Sequence, residues 1–235
     1  MTDAWQFGLV LSVLHTGTFL LTWWIYAWML RHRIAPRFLV AEGKAPPKNL
    51  LRPTLLKVGS SQLVFCLAMA FVIYPIWLRM GGHFTGAGPG PGVTALQIVA
   101  FILIQDTLFY WSHRMLHTRW WFQRVHGIHH RYRYTRGPAY EYAHPLESGA
   151  NFIAFMSGPV LFGCHFHVLV VWVVLRIYET VSAHSGYAFT AVSSRHAFHH
   201  LYGARGCYGS FFGLWDRCMG TDRAWRKWRV EQPHA

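Results

Sequence analysis

Three stretches of this chain are long enough and apolar enough to cross a lipid bilayer as helices, and they constrain the fold more than any other feature. They run from Trp5 to Leu30, from Leu55 to Leu78 and from Val93 to Tyr110. A bilayer core requires about 20 apolar residues per helical crossing. A hydrophobic fraction of 53% with only 13% charged residues indicates a membrane protein rather than a soluble domain.

The first stretch is expected to remain in the protein as a membrane helix. It is longer than the apolar core of a signal peptide, Asp3 precedes it, and no small-residue cleavage site follows it. The sequence shows no internal repeat, and the four cysteines form no CxxC pair, so neither a solenoid nor a zinc ribbon is indicated.

A fourth apolar region, from Phe152 to Val181, is interrupted by Ser157 to Pro159 and then by Gly163, His165 and His167. A single crossing would place the histidines before and after it on opposite sides of the membrane. Two arms of roughly 12 to 14 residues would instead enter and return on one side. The hairpin is favoured, with His165 and His167 near its tip, where they cap the turn.

Positive charge is concentrated in the segments between the apolar stretches. The formal net charge is +13, and 20 of the 22 Lys and Arg residues lie in residues 31–57, 114–136 and 195–229. Three crossings and a hairpin put all three segments on one side, which the positive-inside rule makes cytoplasmic. The basic segments carry no nucleic-acid recognition motif, so no nucleic-acid partner is expected.

Histidine placement is the chemically informative feature. One HxxxH and two HxxHH motifs, with two histidines between them, account for ten of the 16 histidines: His113, His117, His126, His129, His130, His144, His184, His196, His199 and His200. Positions i, i+3 and i+4 share one helix face, so each motif can direct several imidazoles at one centre. Neutral imidazole binds iron, copper or zinc, and ten converging rings exceed the needs of one ion. Two metal ions are predicted.

Carboxylates help to exclude one type of metal centre. Only Asp106, Glu141, Glu147 and Glu179 lie between residues 100 and 200. Soluble di-iron bundles use two Glu-x-x-His motifs and further glutamates, so this site must be dominated by histidine.

Four side chains are expected to contact the ligand imidazoles on the side away from the metal: Asp106, Tyr110, Glu147 and Glu179. Asp106 and Tyr110 share a helical stripe with His113 and His117, so Asp106 could orient a ligand imidazole through its second ring nitrogen. The alternative is that Asp106 makes a hydrogen bond between helices. Glu179 is also expected to pair with Arg176, three residues before it.

These residues resemble the fatty acid hydroxylase and sterol desaturase superfamily of integral-membrane di-iron enzymes. The matching text spans about residues 100–222 and comprises Asp106-x-x-x-Tyr110-Trp111-x-His113-Arg114-x-x-His117, His126-x-x-His129-His130, Tyr142-Ala-His144-Pro-x-Glu147, Gly158-Pro159, Glu179-x-x-x-x-His184-Ser-Gly-Tyr187, His196-x-x-x-His200, Gly213-x-Trp215-Asp216 and Gly220-Thr221.

The apolar stretches, the charge placement and the histidine motifs together predict an all-α integral membrane fold with about three transmembrane helices, a membrane hairpin and a cytoplasmic histidine-rich helical cap that holds a dimetal site. Residues 1–92 would form the N-terminal transmembrane helices and loops, and residues 93–235 the catalytic region, in one compact domain. Nine histidines map onto the family's ligands, with His144 as a tenth, since Thr180 stands where some fatty acyl hydroxylases have a histidine.

The implied activity is hydroxylation of a C–H bond in a lipid or sterol-like substrate from the bilayer, with dioxygen as oxidant and no catalytic residue beyond the metal centre. The implied cofactor is two iron ions, which zinc can replace in a purified sample because zinc binds more tightly than ferrous iron. Electrons would come from an external donor such as ferredoxin, or cytochrome b5 with its reductase. A lipid desaturase or a carotenoid-modifying oxygenase is the alternative within this class, and a metal transporter or sensor the alternative outside it.

Overall fold

The computed structural model describes residues 2–231, and within that range the chain is helical and contains no β-strand. The α-helices are α1 (Thr2–Arg31), α2 (Leu51–Ala68), α3 (Tyr74–Arg79), α4 (Pro91–Leu116), α5 (Arg119–Arg124), α6 (Pro145–Leu161), α7 (Phe166–Ala183), α8 (Ala191–Tyr202), α9 (Leu214–Met219) and α10 (Arg223–Glu231). Short 3-10 segments are Pro36–Phe38, Lys48–Leu50, His126–Arg131, Ala139–Glu141 and Gly203–Arg205.

Four helical segments are long and apolar enough to cross a membrane: Asp3–Arg31, Lys48–Arg79, Pro91–Leu116 and Phe166–Ala183. The first three confirm the predicted membrane stretches. The second is continuous because a π-helical turn, Met69–Ile73, joins α2 to α3. This wide turn lies just before Pro75, which has no N–H to donate to the preceding turn.

The fourth apolar region forms the predicted hairpin. Helices α6 and α7 are joined by residues 162–165, and the His165 ring caps α7 by accepting a hydrogen bond from the His167 N–H. The arms contain 17 and 18 residues, longer than the predicted 12 to 14. The sequence Ser157-Gly158-Pro159 does not break α6. Gly158 lies where α6 packs against Phe101 of α4, and a Cβ there would stand 2.9 Å from the Phe101 Cα.

The core lies among α1, α2, α4 and α7 and includes the fully buried side chains of Leu11, Met69, Phe101 and Trp172. The Trp172 indole also donates a hydrogen bond of 2.8 Å to the Phe155 carbonyl, so α7 is tied to α6. Large apolar side chains remain exposed on the outer faces of the long helices, as expected for surfaces that contact lipid.

The remaining helices form a cap over one end of the membrane helices. A capping box between Thr190 and Ser193 starts α8, and the buried indole of Trp225 anchors α10 by donating to the Ser194 hydroxyl. The open ends of the hairpin, His144 before α6 and His184 after α7, both face this cap. The fold therefore brings every histidine motif to the same end of the molecule.

Candidate metal centre

Nine of the ten predicted histidines come together in two groups that could hold metal ions. Within each group, one nitrogen from every ring lies within 4.8 Å of the others. The five-membered group is His113, His117, His126, His130 and His199, and the four-membered group is His129, His184, His196 and His200. Seven of the nine rings are buried, and His117 and His130 are half-buried.

The two HxxHH motifs each contribute to both groups, which is why the groups lie side by side. His126 and His130 join the five-membered group, while His129 between them joins the other. This segment is a 3-10 helix rather than the predicted α-helix, yet its positions i and i+4 share one group and position i+3 joins the other. Helix α8 divides its histidines in the same way, with only His199 joining the five-membered group.

Backbone carbonyls fix the orientation of most rings. Five Nδ1 atoms lie 2.8 to 3.3 Å from carbonyl oxygens: His113 from Tyr208, His129 from Tyr142, His184 from Thr180, His199 from Gly206, and His200 from Tyr132. A carbonyl oxygen can only accept, so each of these Nδ1 atoms carries the proton. The Nε2 atoms of these rings therefore present lone pairs.

These Nε2 atoms point at one another. In His129 and in His184, the Nδ1 proton is donated to a backbone carbonyl, so neither Nε2 carries a proton. These two Nε2 atoms nevertheless lie only 3.4 Å apart. The Nε2 atoms of His113 and His126 are 3.1 Å apart, and those of His196 and His184 are 2.8 Å apart. Lone pairs facing each other repel, so the arrangement is suited to a cation between them.

The spacing fits a transition metal. With metal–nitrogen bonds of about 2.0 to 2.1 Å, neighbouring ligand atoms stand roughly 3.0 to 3.4 Å apart. An all-imidazole donor set suits iron, copper or zinc and does not suit calcium or magnesium, which prefer oxygen ligands. The residues present therefore fit the pair of transition-metal ions predicted from the sequence.

Burial keeps the rings in the form that can bind a metal. Desolvation, reinforced by neighbouring imidazoles, lowers the pKa of His117 to about 2 and that of His129 to about 4. Burial also lowers the pKa of His196, His199 and His200 well below the usual value. The imidazoles are thus neutral at physiological pH and available as ligands.

Glu147 occupies the position predicted for a supporting carboxylate. Its Oε1 lies 2.9 Å from Nδ1 of His126, and both side chains are buried. A carboxylate behind a ligand imidazole fixes the ring and makes it a better electron donor. The second oxygen, Oε2, has no hydrogen-bond partner and lines the adjoining cavity.

The other three predicted supporting residues contact a loop rather than a histidine. Asp106 does not touch a ligand imidazole: its two oxygens accept 2.7 Å hydrogen bonds from the N–H groups of Phe211 and Phe212. Glu179 forms the predicted pair with Arg176 and also accepts from Ser210. The Tyr110 hydroxyl lies 3.3 Å from that of Thr221. The stripe along α4 correctly placed Asp106 near the site, but a peptide segment lies between the carboxylate and the rings.

That segment, residues 206–213, is here called the ligand-support loop. Its carbonyls at Gly206 and Tyr208 hold His199 and His113. Gly206 has φ +122, and a Cβ there would lie 1.9 Å from the Thr221 carbonyl oxygen, so glycine is required.

Two further charged residues anchor the ligand-support loop, and the sequence analysis gave them no role. Asp216 is fully buried and accepts from the N–H groups of Tyr208 and Gly209 at 2.9 and 2.7 Å. Arg195, also buried, donates to the Phe211 carbonyl at 2.9 Å. Two sequence features could have indicated these residues: Arg195 stands directly before a predicted metal-binding histidine, and Asp216 ends the Gly-x-Trp-Asp motif.

His144 is not brought into either group. Its Nδ1 accepts a 3.2 Å hydrogen bond from the Leu146 N–H and so caps the start of α6. The sequence alone could not distinguish a helix cap from a metal ligand at this position. His144 directly precedes a proline at the start of a helix, which suits a cap, and it also lies close to Glu147 in the sequence, which suits a ligand.

A cavity of about 400 Å³ extends from the histidines into the membrane region. Five of the converging histidines line one end: His113, His126, His129, His184 and His196. Apolar side chains such as Phe65, Phe152 and Ile177 line the middle. Ser60, Val64, Ser148 and Gly149 line the cavity and are exposed, so it opens sideways between α2 and α6, where lipid would lie.

Known proteins provide an independent comparison. A family model described as fatty acid hydroxylase matches residues 98–221. A very-long-chain aldehyde decarbonylase of Oryza sativa subsp. indica is 40% identical over 173 residues, which cover 68% of this chain and 65% of the relative. A methylsterol monooxygenase of Arabidopsis thaliana is 37% identical with the same coverage. A C-4 methylsterol oxidase of Schizosaccharomyces pombe is 30% identical over 61% of this chain and 53% of the relative.

No solved structure matches the chain. The matched region spans slightly less than two thirds of the rice relative's length. The family model covers more than half of the chain, including all nine converging histidines, and the chain therefore belongs to the fatty acid hydroxylase family.

Proposed function

We propose that this protein is a membrane-bound oxygenase that hydroxylates a C–H bond of a lipid or sterol-like substrate. The observation that carries the proposal is the cavity that opens between α2 and α6 and ends at five of the converging histidines. A lipid can reach the metal end through this opening without leaving the bilayer. The methylsterol monooxygenase relatives support an oxygenase of this substrate class.

Two iron ions, held by the five-histidine and four-histidine groups, would supply the activation of dioxygen. The chain's own contribution is to hold the ligand rings, to exclude bulk water from buried imidazoles and to align the substrate in the cavity. Oε1 of Glu147 faces the outer nitrogen of His126 at 2.9 Å. The ligand-support loop holds the outer nitrogens of His113 and His199.

Electrons would come from an external protein such as ferredoxin, or cytochrome b5 with its reductase. The histidine end of the fold carries most of the 22 Lys and Arg residues, which would attract an acidic carrier. The same charge distribution supports a cytoplasmic active site.

A direct test compares lipid extracts from cells that express the wild type with those from cells that express His117→Ala, which loses a proposed ligand. Mass spectrometry should find a lipid that gains one oxygen only with the wild type. A loss of two hydrogens would assign the protein to the desaturase alternative. Identical extracts, with the wild type shown to carry metal and to receive electrons, would contradict an oxygenase.

The rice relatives support a second candidate, a reaction on long-chain aldehydes. The same wild-type and His117→Ala preparations should therefore be incubated with a long-chain aldehyde. Shortening of the chain by one carbon, with no oxygenated lipid formed, would favour this candidate over the hydroxylase.

A further inference from the structure

The wall of the cavity contains polar atoms that have no hydrogen-bond partner. They include Nδ1 of His15 on α1, Nε2 of Gln62 on α2 and Nε of Arg176 on α7. His15 and Arg176 are more than nine-tenths buried, with 7% and 9% of their surface exposed. A buried polar group without a partner destabilises a fold, so three on one cavity wall indicate a ligand that satisfies them.

The three side chains are neighbours. The Gln62 side chain faces the His15 ring without making a hydrogen bond of normal geometry to Nδ1, and the charge of Arg176 lies within electrostatic range of that ring. The Gln62 carbonyl accepts a 2.8 Å hydrogen bond from Thr16, the residue after His15, and this bond aligns the Gln62 amide beside α1. The His15 ring is held against Phe65, with ring centroids 4.5 Å apart. Three helices therefore build one polar pocket, defined here as His15, Gln62 and Arg176.

The polar pocket lies away from the histidine groups. Arg176 precedes His184 by eight residues in α7, which at 1.5 Å per residue is about 12 Å. Along α2, Gln62 follows Thr54 by the same number of residues. The Thr54 hydroxyl lies 2.7 Å from that of Tyr132, whose carbonyl holds His200. On each of these two helices, the pocket residue therefore lies about two turns from the residue at the histidine end.

The charges around the cavity select a neutral ligand group. Lys57 and Arg176 line it together with Glu141, Glu147 and Glu179, and Arg176 is already paired with Glu179. A carboxylate would gain no unpaired positive partner near the polar pocket. A hydroxyl oxygen, in contrast, can accept from the N–H groups of Gln62 and Arg176, while its proton is donated to Nδ1 of His15.

We infer that the polar pocket binds the hydroxyl group of an elongated lipid alcohol, whose oxidised carbon lies at the histidine end of the same cavity. This inference rests on the proposed function and adds the substrate class and its orientation. The alcohol end enters the membrane interior of the protein, and the far end of the molecule meets the histidines. The apolar wall between the two ends fits the hydrocarbon body.

The test uses two matched probe pairs, cholesterol with cholest-5-ene and octadecan-1-ol with octadecane, because the members of each pair differ only in the hydroxyl. Binding to purified, metal-loaded protein in detergent is measured for the wild type, His15→Phe, Gln62→Met and Ser12→Ala. His15→Phe keeps the ring against Phe65. Ser12 is the control, since it is buried on α1, one turn from His15, and its hydroxyl also lacks a partner, but it does not line the cavity.

The wild type and Ser12→Ala should bind at least one alcohol about tenfold more tightly than its hydrocarbon, the range expected for a hydrogen bond to a buried group. His15→Phe and Gln62→Met should lose that preference while they retain hydrocarbon affinity and metal content. Fragmentation of the oxygenated product should place the new oxygen far from the hydroxyl.

Equal binding of alcohol and hydrocarbon by the wild type, or an unchanged preference in both pocket variants, would overturn the inference. The proposed function would survive that result if either probe gained oxygen. If neither alcohol bound and no probe or cell lipid gained oxygen, both the inference and the proposed function would fail.

Discussion

At the scale of single residues, the decisive feature is which ring nitrogen of each imidazole makes a hydrogen bond to the protein and which is left to bind a metal. A ring whose Nδ1 donates to a carbonyl has a fixed orientation and a lone pair on Nε2, so the backbone selects the tautomer before any metal arrives. His113, His129 and His184 all follow this pattern. His126 differs, because a carboxylate rather than a carbonyl faces its outer nitrogen.

The carboxylate of Glu147 should therefore influence metal binding. In Glu147→Gln the amide keeps the side-chain volume but replaces the carboxyl oxygen that faces Nδ1 of His126. Metal affinity of the five-histidine group, or turnover, should fall by about 10- to 100-fold. Metal titration of apo protein checks this, with Glu141→Gln as the control, since Glu141 lines the same cavity but bonds to Ser61. Unchanged metal affinity in Glu147→Gln would show that the Glu147 side chain does not support metal binding by His126.

His144 and His117 should respond oppositely to substitution by alanine. His144→Ala removes a helix cap and should cost about 1 kcal/mol of unfolding free energy with metal content unchanged. His117→Ala should lose metal from the five-histidine group and abolish activity. Thermal unfolding and elemental analysis of both variants separate the two effects. Loss of a metal ion from His144→Ala would return this residue to the ligand set.

At the scale of elements, the ligand-support loop connects the membrane helices to the metal centre. Asp106 on α4 and Asp216 on α9 accept hydrogen bonds from its N–H groups, while its carbonyls point at two ligand rings. An acidic residue can therefore act on a ligand through a peptide segment. The helical stripe from Asp106 predicted proximity, but the intervening loop has no periodicity that a sequence could reveal.

Asp216→Asn tests this connection. The amide replaces one acceptor with a donor that opposes the N–H of Tyr208 or Gly209. The loop should shift, and metal affinity of the five-histidine group should fall by about tenfold, while the four-histidine group is retained. Asp222→Asn is the matched control, because Asp222 is equally buried and bonds to Arg226 on α10. Equal effects of the two substitutions on metal affinity would contradict a specific role of the loop.

At the scale of the whole molecule, apolar segment length and charge placement predicted the architecture well. The three membrane stretches and the hairpin are formed, because burial of backbone polar groups in lipid leaves few options other than helices. The division of histidines into groups of five and four was not predictable, since it depends on how His126–Arg131 and α8 pack around each other and around the end of α4. The cavity could not be predicted from the sequence either, because its wall combines residues from distant parts of the chain.

The proposed topology can be tested by labelling. Single cysteines at Arg133 and Arg205 should react with a membrane-impermeant reagent only from the cytoplasmic side. A cysteine at Gly86, in the loop between α3 and α4, should react only from the outside, because the number of crossings places that loop opposite the cap. The four native cysteines are first replaced by serine or alanine. Outside labelling at Arg133 or Arg205 would invert the orientation.

Two adjacent histidine groups should each hold one transition-metal ion, and metal content per folded chain measures this directly. Elemental analysis of fully loaded wild type should find two ions, iron in the active protein or zinc in its place. His184→Ala should retain about one, because it belongs only to the four-histidine group. At most one ion per wild-type chain after loading would show that the two histidine groups do not form a dimetal site.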